Sequence, residues 1–305
     1  MSASALHKKL IDKIPPVRGL IEFDAPLSKY TWFRTGGKAD ILFAPEDKND
    51  LCDFFKNVPI DIPVMPLGVG SNMLIREGGV EGIVIRFGKK FSKIVINGLD
   101  VRAEVGAPDI AVAKACLDAE ISGLEFLRGI PGTIGGAVRM NAGAYQCEIK
   151  DIFKSATAVD RAGKVHLLNF DDMGFSYRHT TLPSDYILVD ATFVGKGGEY
   201  KTIAKRMKEI GDAREESQPL RTRTGGSTFK NPAGKSAWRL IDEAGCRGVE
   251  IGGAKVSEKH CNFLINTGKA TSSDIENLGE VVRERVLENS GFNLEWEIKR
   301  IGRLG

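Results

Sequence analysis

The residues able to do chemistry gather in a few short motifs. The sharpest is RTRTGGSTFKNP, Arg221 to Pro232, in which Ser227 follows two glycines and precedes an aromatic, a lysine and an asparagine. A serine so placed can be a nucleophile, a proton donor, a phosphate ligand or a turn residue. No histidine lies near it in sequence to act as a base, which weighs against the nucleophile. In FSYRHTTLP, Arg178 stands between Tyr177 and His179. A guanidinium can clamp a carboxylate through paired hydrogen bonds, although a lone arginine is more often a surface residue. In LEWEIKRIG the period is two: Leu294, Trp296 and Ile298 face one way, and Glu295, Glu297 and Lys299 the other. That charged row is either merely solvated or lines a cleft.

Two glycine-rich stretches add a second kind of chemistry. GVGSN, Gly68 to Asn72, lets the backbone turn tightly so that its N–H groups approach a phosphate. It is neither the P-loop pattern nor the G-x-G-x-x-G that opens a dinucleotide-binding helix, so a plain turn is about as good a reading. GIPGTIGGAVRMNAGAY, Gly129 to Tyr145, carries five glycines in a span with almost no charge. Such a run suits close backbone approach to a large flat or phosphorylated ligand, with tight helix–sheet packing as the alternative.

The elements that must position these motifs fall into three blocks. A strand–helix–strand lobe covers 1–87, with strands at ILFA, VMPL and within MLIREGGVEGIVIRF, and a helix at NDLCDFFKNV whose Leu51, Phe54 and Phe55 share one face. Residues 88–217 hold strands at SKIVI, DVRAEVGA, SATAVD, KVHLL and YILVDATFV. They also hold a helix at PDIAVAKACLDAEI, with proline in its first turn, and a charged helix at YKTIAKRMKEIGDAREES. Residues 218–305 hold the serine motif, a helix at SAWRLIDEAG, a strand at CNFLIN and a long helix with N-cap serines and a closing glycine. Strands outnumber helices in irregular order, so the class is α+β.

Composition excludes several classes of function. The 43 basic residues are scattered among 40 acidic ones, and a formal charge of +3 is too small to argue for nucleic acid. MSASALHKKLIDKIPPVRG has no apolar core before its charges, and no apolar run is long enough to span a bilayer, so a cytoplasmic protein without secretory signal is expected. Five cysteines without a C-x-x-C pair and four histidines without helical pairing support neither a disulfide framework nor a metal site.

Taken together, YTWFRTGGKAD, LGVGSNMLI, GIPGTIGGAVRMNAGAY, SYR, GSTFKNP and LEWEIKRIG resemble, in this order and over nearly the whole chain, the UDP-N-acetylenolpyruvoylglucosamine reductase family. These are flavoenzymes of bacterial peptidoglycan precursor synthesis, also named UDP-N-acetylmuramate dehydrogenases. The resemblance implies two FAD-binding lobes of the vanillyl-alcohol-oxidase type and a C-terminal α+β substrate-binding domain. FAD would lie between the lobes, contacting Gly68, Gly70, Ser71, Asn72 and Met73, and Gly129, Thr133, Gly135, Gly136, Asn141, Ala142 and Gly143. NADPH would be the reductant.

The family's catalytic serine, arginine and glutamate match Ser227, Arg178 and Glu297. On this resemblance, the reduced flavin passes hydride to the enolpyruvyl ether. Arg178 and Glu297 then stabilise the enolate, where charge grows in the transition state. Ser227 donates the proton, with Lys230 as a candidate relay because a serine hydroxyl is a weak acid. Tyr177, Lys230 and Asn231 would contact substrate. Charge alone suggests that Arg221 and Arg223 meet the diphosphate. The short stretch between Arg178 and Ser227 resembles the form lacking a tyrosine-bearing lid insert. Its LRTRTGG is more basic than the usual proline-containing segment, and His179 stands where a small or acidic residue is common. A monomer or weak oligomer is expected. Two other readings remain: a different flavoprotein of the same fold, such as an oxidase of small alcohols, and a flavin-free UDP-sugar-binding protein or transferase.

Overall fold

A computed structural model describes residues 14–305. Most of the segment read above as lacking a signal, residues 1–13, lies outside the described residues. The chain divides into two compact units. The first takes in 14–23, 40–68 and 82–212; the second takes in 24–39, 69–81 and 213–305. Each has its own hydrophobic core.

The first unit is built largely on two sheets. One has the order Leu20–Pro26, Lys38–Ala44, Val80–Arg86, Val64–Leu67. Its helix Lys48–Asn57 begins where the Asp47 carboxylate accepts the Asp50 N–H, and it buries Leu51, Phe54 and Phe55 as their spacing requires. The second sheet is antiparallel, in the order Val165–Leu168, Phe153–Val159, Ile187–Val194, Asp100–Glu104, Ile94–Asn97. One core joins Phe43 and Phe55 with Val101, Val138 and Phe193, on both sides of the expected division at 87/88. The helix Asp109–Asp118 starts one residue later than its proline suggested, because Pro108 is the N-cap.

The glycine-rich run is more ordered than a loop. Within it lies a short helix, Ile134–Arg139, which sequence reasoning missed. Its start is held from outside: the Ile134 N–H donates to Ala107 and the Gly135 N–H to Val105. Helix Tyr200–Ser217 has the bounds read from its charged period.

In the second unit an antiparallel sheet runs Arg223–Ser227, Phe263–Asn266, Ala254–Val256, Glu250–Ile251. The helices Ala237–Glu243 and Ser272–Ser290 contribute Leu240, Ile241, Ile275, Leu278 and Val282 to the core beside it. The long helix is capped by Thr271, not by the expected serines: its hydroxyl accepts the Asp274 N–H at 3.0 Å, and Asp274 accepts the Thr271 N–H at 2.9 Å. Ser272 instead donates to the Ile75 carbonyl at 2.5 Å. Gly291, at φ 73°, closes the helix as expected. A strand Lys299–Ile301 pairs in parallel with Met73–Ile75. Among the described residues, no helix is long and apolar enough to cross a membrane.

Candidate active site

Ser227 ends the strand Arg223–Ser227, just after a break in register with the strand Phe263–Asn266. The two preceding glycines make that break possible. Gly226 has φ +80°, and a Cβ at Gly225 would stand 2.5 Å from the Phe33 ring. Beyond the serine the backbone is tied on two sides. The Thr228 N–H donates to the Asn262 carbonyl at 2.7 Å, while the Asn262 side chain accepts from Phe229 N–H at 2.9 Å and donates to the Phe229 carbonyl at 2.8 Å. The Lys230 and Glu297 N–H groups donate to the Glu295 and Thr228 carbonyls, both at 2.8 Å. Asn72 then joins in: its side chain donates to the Glu297 carbonyl at 3.2 Å, and its own carbonyl accepts the Lys299 N–H at 3.0 Å. Ser227, Glu297 and Asn72 are therefore knitted into one framework of main-chain bonds.

The C-terminal segment is a ladder only over Lys299–Ile301, with an isolated bridge between Phe229 and Trp296. This corrects the strand expected from Leu294. The alternation survives as burial: Leu294 and Ile298 are buried, Glu295 and Lys299 exposed, and Glu297 partly buried.

Two of the other expected substrate contacts of this unit, Lys230 and Asn231, are engaged within the protein. The Lys230 ammonium pairs with the exposed Glu295 carboxylate at 3.2 Å. The Asn231 side chain accepts the Ala237 N–H at 2.9 Å, at the start of helix Ala237–Glu243. Arg221 and Arg223 are exposed. Asn262 was missed altogether, since an asparagine just before a short apolar strand gives no local sign that it will grip a distant loop.

Arg178 belongs to the first unit, as does the whole of the run Gly129 to Tyr145. It sits in a two-residue turn closed by reciprocal bonds between Ser176 and His179, of 3.0 and 3.2 Å, with φ +54°. A left-handed arginine is uncommon, so the surroundings must fix it. Its guanidinium donates to the Gly143 carbonyl at 2.8 Å, stands 3.6 Å from the Glu148 carboxylate and lies 4.9 Å from the centre of the Tyr177 ring. Asn141 is fully buried, and its amide is committed to Ser176, Glu148 and Lys150. Its side chain thus works within the protein.

The glycines differ in what surrounds them. A Cβ at Gly68 would meet the Thr133 hydroxyl at 2.6 Å, and one at Gly135 would meet Val105 at 2.8 Å. A Cβ at Gly136 would meet nothing within 4 Å, and this residue is exposed. The main chain at Gly136 therefore faces open space over a rigidly packed base. Gly70, at φ +59°, packs so that a Cβ would stand 2.7 Å from the Tyr30 carbonyl.

The pattern of an FAD-binding domain matches residues 39–169, which include Gly68 to Met73 and Gly129 to Gly143. The pattern of the UDP-N-acetylenolpyruvoylglucosamine reductase C-terminal domain matches residues 218–301. A curated UDP-N-acetylenolpyruvoylglucosamine reductase of Parvibaculum lavamentivorans is 58% identical over 302 residues, covering 99% of this chain and 97% of its own. The chain belongs to the UDP-N-acetylenolpyruvoylglucosamine reductase family. A second curated family member, from Azorhizobium caulinodans, is 55% identical over 95% of this chain and 94% of its own. Among solved structures, the family's reductase from Thermus caldophilus has 33% identity and a TM-score of 0.82, over 94% of this chain and 100% of its own. A 6-hydroxy-D-nicotine oxidase from Arthrobacter nicotinovorans has only 12% identity, yet its TM-score of 0.60 over 93% of this chain and 89% of its own shows a shared fold.

This member of the reductase family is therefore an FAD-containing oxidoreductase, which sets aside the flavin-free reading. Its fold is the expected α+β combination of a vanillyl-alcohol-oxidase-type FAD-binding domain and a C-terminal domain of the reductase family. Among the described residues of this reductase all five cysteines are free, four of them buried. Burial pushes the Cys116 thiol up to about 12, as befits an inert core residue.

Proposed function

We propose that the chain reduces the enolpyruvyl ether of UDP-N-acetylglucosamine to UDP-N-acetylmuramate, with NADPH as electron donor, in the cytoplasmic supply of peptidoglycan precursor. The observation that carries this reading is the main-chain bond between Glu297 and Thr228, which ties the residue after Ser227 to the glutamate motif. Two motifs far apart in sequence meet in one place, as a shared role in catalysis requires.

The glycine surfaces fit a flavin. Gly136 offers uncovered main chain, and the close packing of Gly68, Gly70 and Gly135 keeps that part of each backbone rigid. We assign Gly68, Gly70, Ser71, Asn72 and Met73, with Gly129, Thr133, Gly135, Gly136, Ala142 and Gly143, to holding it. Asn141 supports them from within. The three-part organisation 1–87, 88–217 and 218–305 goes with this assignment, the first two parts holding FAD and the third the substrate. Bound FAD supplies hydride transfer from the nicotinamide to the enolpyruvyl carbon.

The chain's own residues do the rest. Arg178 meets the substrate carboxylate and offsets the charge that grows there as the alkene is reduced. Glu297 orients the enolate. The Ser227 hydroxyl delivers the proton that quenches it, and the main-chain bonds around it hold that hydroxyl in place. Tyr177, Lys230 and Asn231, with the exposed Arg221 and Arg223, are assigned to substrate, Lys230 moving away from Glu295 to reach it.

The test follows NADPH oxidation by the yellow holoenzyme with and without UDP-N-acetylglucosamine enolpyruvate. Oxidation should depend on that substrate and yield UDP-N-acetylmuramate. Flavin reduction that proceeds without any turnover of the substrate would leave an FAD oxidoreductase with another acceptor.

A further inference from the structure

We infer that Glu148 is a positioning residue for Arg178, and that Asn141 and Lys150 set Glu148 for that task; the inference rests on the role assigned to Arg178 above. One Glu148 oxygen stands 3.6 Å from the Arg178 guanidinium, a distance of charge pairing and not of a hydrogen bond. The other is 3.2 Å from the Asn141 amide nitrogen and 2.9 Å from the Lys150 ammonium. The Arg178 and Glu148 side chains are only 18% and 19% exposed, so solvent screens this pair less than it would a surface pair.

Asn141 couples the arrangement to the turn itself. The same amide that reaches Glu148 donates to the Ser176 carbonyl at 2.9 Å, while its oxygen accepts the Lys150 N–H at 3.0 Å. The turn bearing Arg178 and the carboxylate facing it are thus fixed by one buried side chain. The arginine also holds a left-handed backbone angle, so its orientation depends on such outside restraint.

The charges suit an anionic substrate. Glu148 alone would neutralise Arg178 and repel an incoming carboxylate. With Lys150 on the other oxygen of Glu148, the three groups keep one net positive charge while the guanidinium stays directed.

The experiment is a double-mutant cycle on the FAD-loaded enzyme. Glu148→Gln keeps the volume of the side chain and an acceptor for Asn141 but removes the ion pair. It should bind FAD normally, be reduced by NADPH at the normal rate, and reduce the enolpyruvyl substrate about tenfold more slowly. Glu148→Ala should lose at least as much. In an Arg178→Ala background, measured in single turnovers, Glu148→Gln should have no further effect. Full kcat in Glu148→Gln, or an equal loss with and without Arg178, overturns the inference while leaving the Arg178 assignment intact. Undiminished turnover in Arg178→Ala alone overturns that assignment, and the inference with it.

Discussion

The main-chain N–H of Glu297 donates to the Thr228 carbonyl at 2.8 Å, one residue beyond Ser227. Both residues are therefore held in place through their main chains. Ser227→Ala should melt at the wild-type temperature, since the partly buried hydroxyl lies outside those main-chain bonds. In stopped-flow measurements its flavin should still be reduced by NADPH at the normal rate. Reduction of the enolpyruvyl substrate should fall on the order of a thousandfold. Wild-type turnover in this variant would remove Ser227 from the chemistry.

Gly135 and Gly136 are adjacent but face different surroundings, so the same substitution should act on different properties. An alanine at 135 would press its Cβ to within 2.8 Å of Val105. It should cost roughly 1–3 kcal/mol of stability with or without FAD. An alanine at 136 meets nothing within 4 Å, and helix propensity there favours alanine by up to about 1 kcal/mol. Gly136→Ala should therefore melt no lower as apoprotein, yet bind FAD several-fold more weakly because its methyl covers the open main chain. Paired melting curves and FAD titrations of the apoproteins decide it; wild-type FAD affinity in Gly136→Ala would count against the cofactor assignment.

Asp109 predicts a dependence of stability on pH. Its carboxyl is fully buried, neither oxygen has a hydrogen-bond partner among the described residues, and burial raises its pKa well above the usual carboxylate range. A raised pKa means that the folded chain holds this proton more tightly than the unfolded chain does. The group's relative contribution is complete below the unfolded value, about 3.9, and is lost as pH rises toward the folded one. Melting temperatures of Asp109→Asn and the wild type should thus diverge in the variant's favour between about pH 4 and pH 7. A gap that stays constant over that range would mean that Asp109 does not titrate differently on folding.

Local pattern carried much of this architecture. The period of Tyr200–Ser217 and the face shared by Leu51, Phe54 and Phe55 read directly as helices, because burial follows side-chain spacing. The serine, arginine and glutamate motifs were legible for another reason: their residue types and order along the chain match one family. What escaped was set by distant contacts. The helix Ile134–Arg139 contains two poor helix formers, and its start is fixed by carbonyls at Val105 and Ala107. The alternation from Leu294 to Lys299 reported burial correctly but not pairing, since no partner strand lies along most of it. Glu148 was overlooked because a lone acid after a glycine-rich run carries no spacing signal; only the Arg178 turn gives it meaning.

The parallel pairing of Lys299–Ile301 with Met73–Ile75 also bears on how the chain is made. Synthesis delivers Met73–Ile75 long before its partner exists. Until then a largely apolar strand edge beside Gly70, Ser71 and Asn72 lacks the hydrogen bonds that will close it, the condition in which nascent proteins are prone to mispairing. A chain stalled on the ribosome before Lys299 would lack both the Lys299 N–H that donates to the Asn72 carbonyl and this protecting strand. Exposure of this edge should accordingly persist from its own emergence until Lys299–Ile301 has left the ribosome.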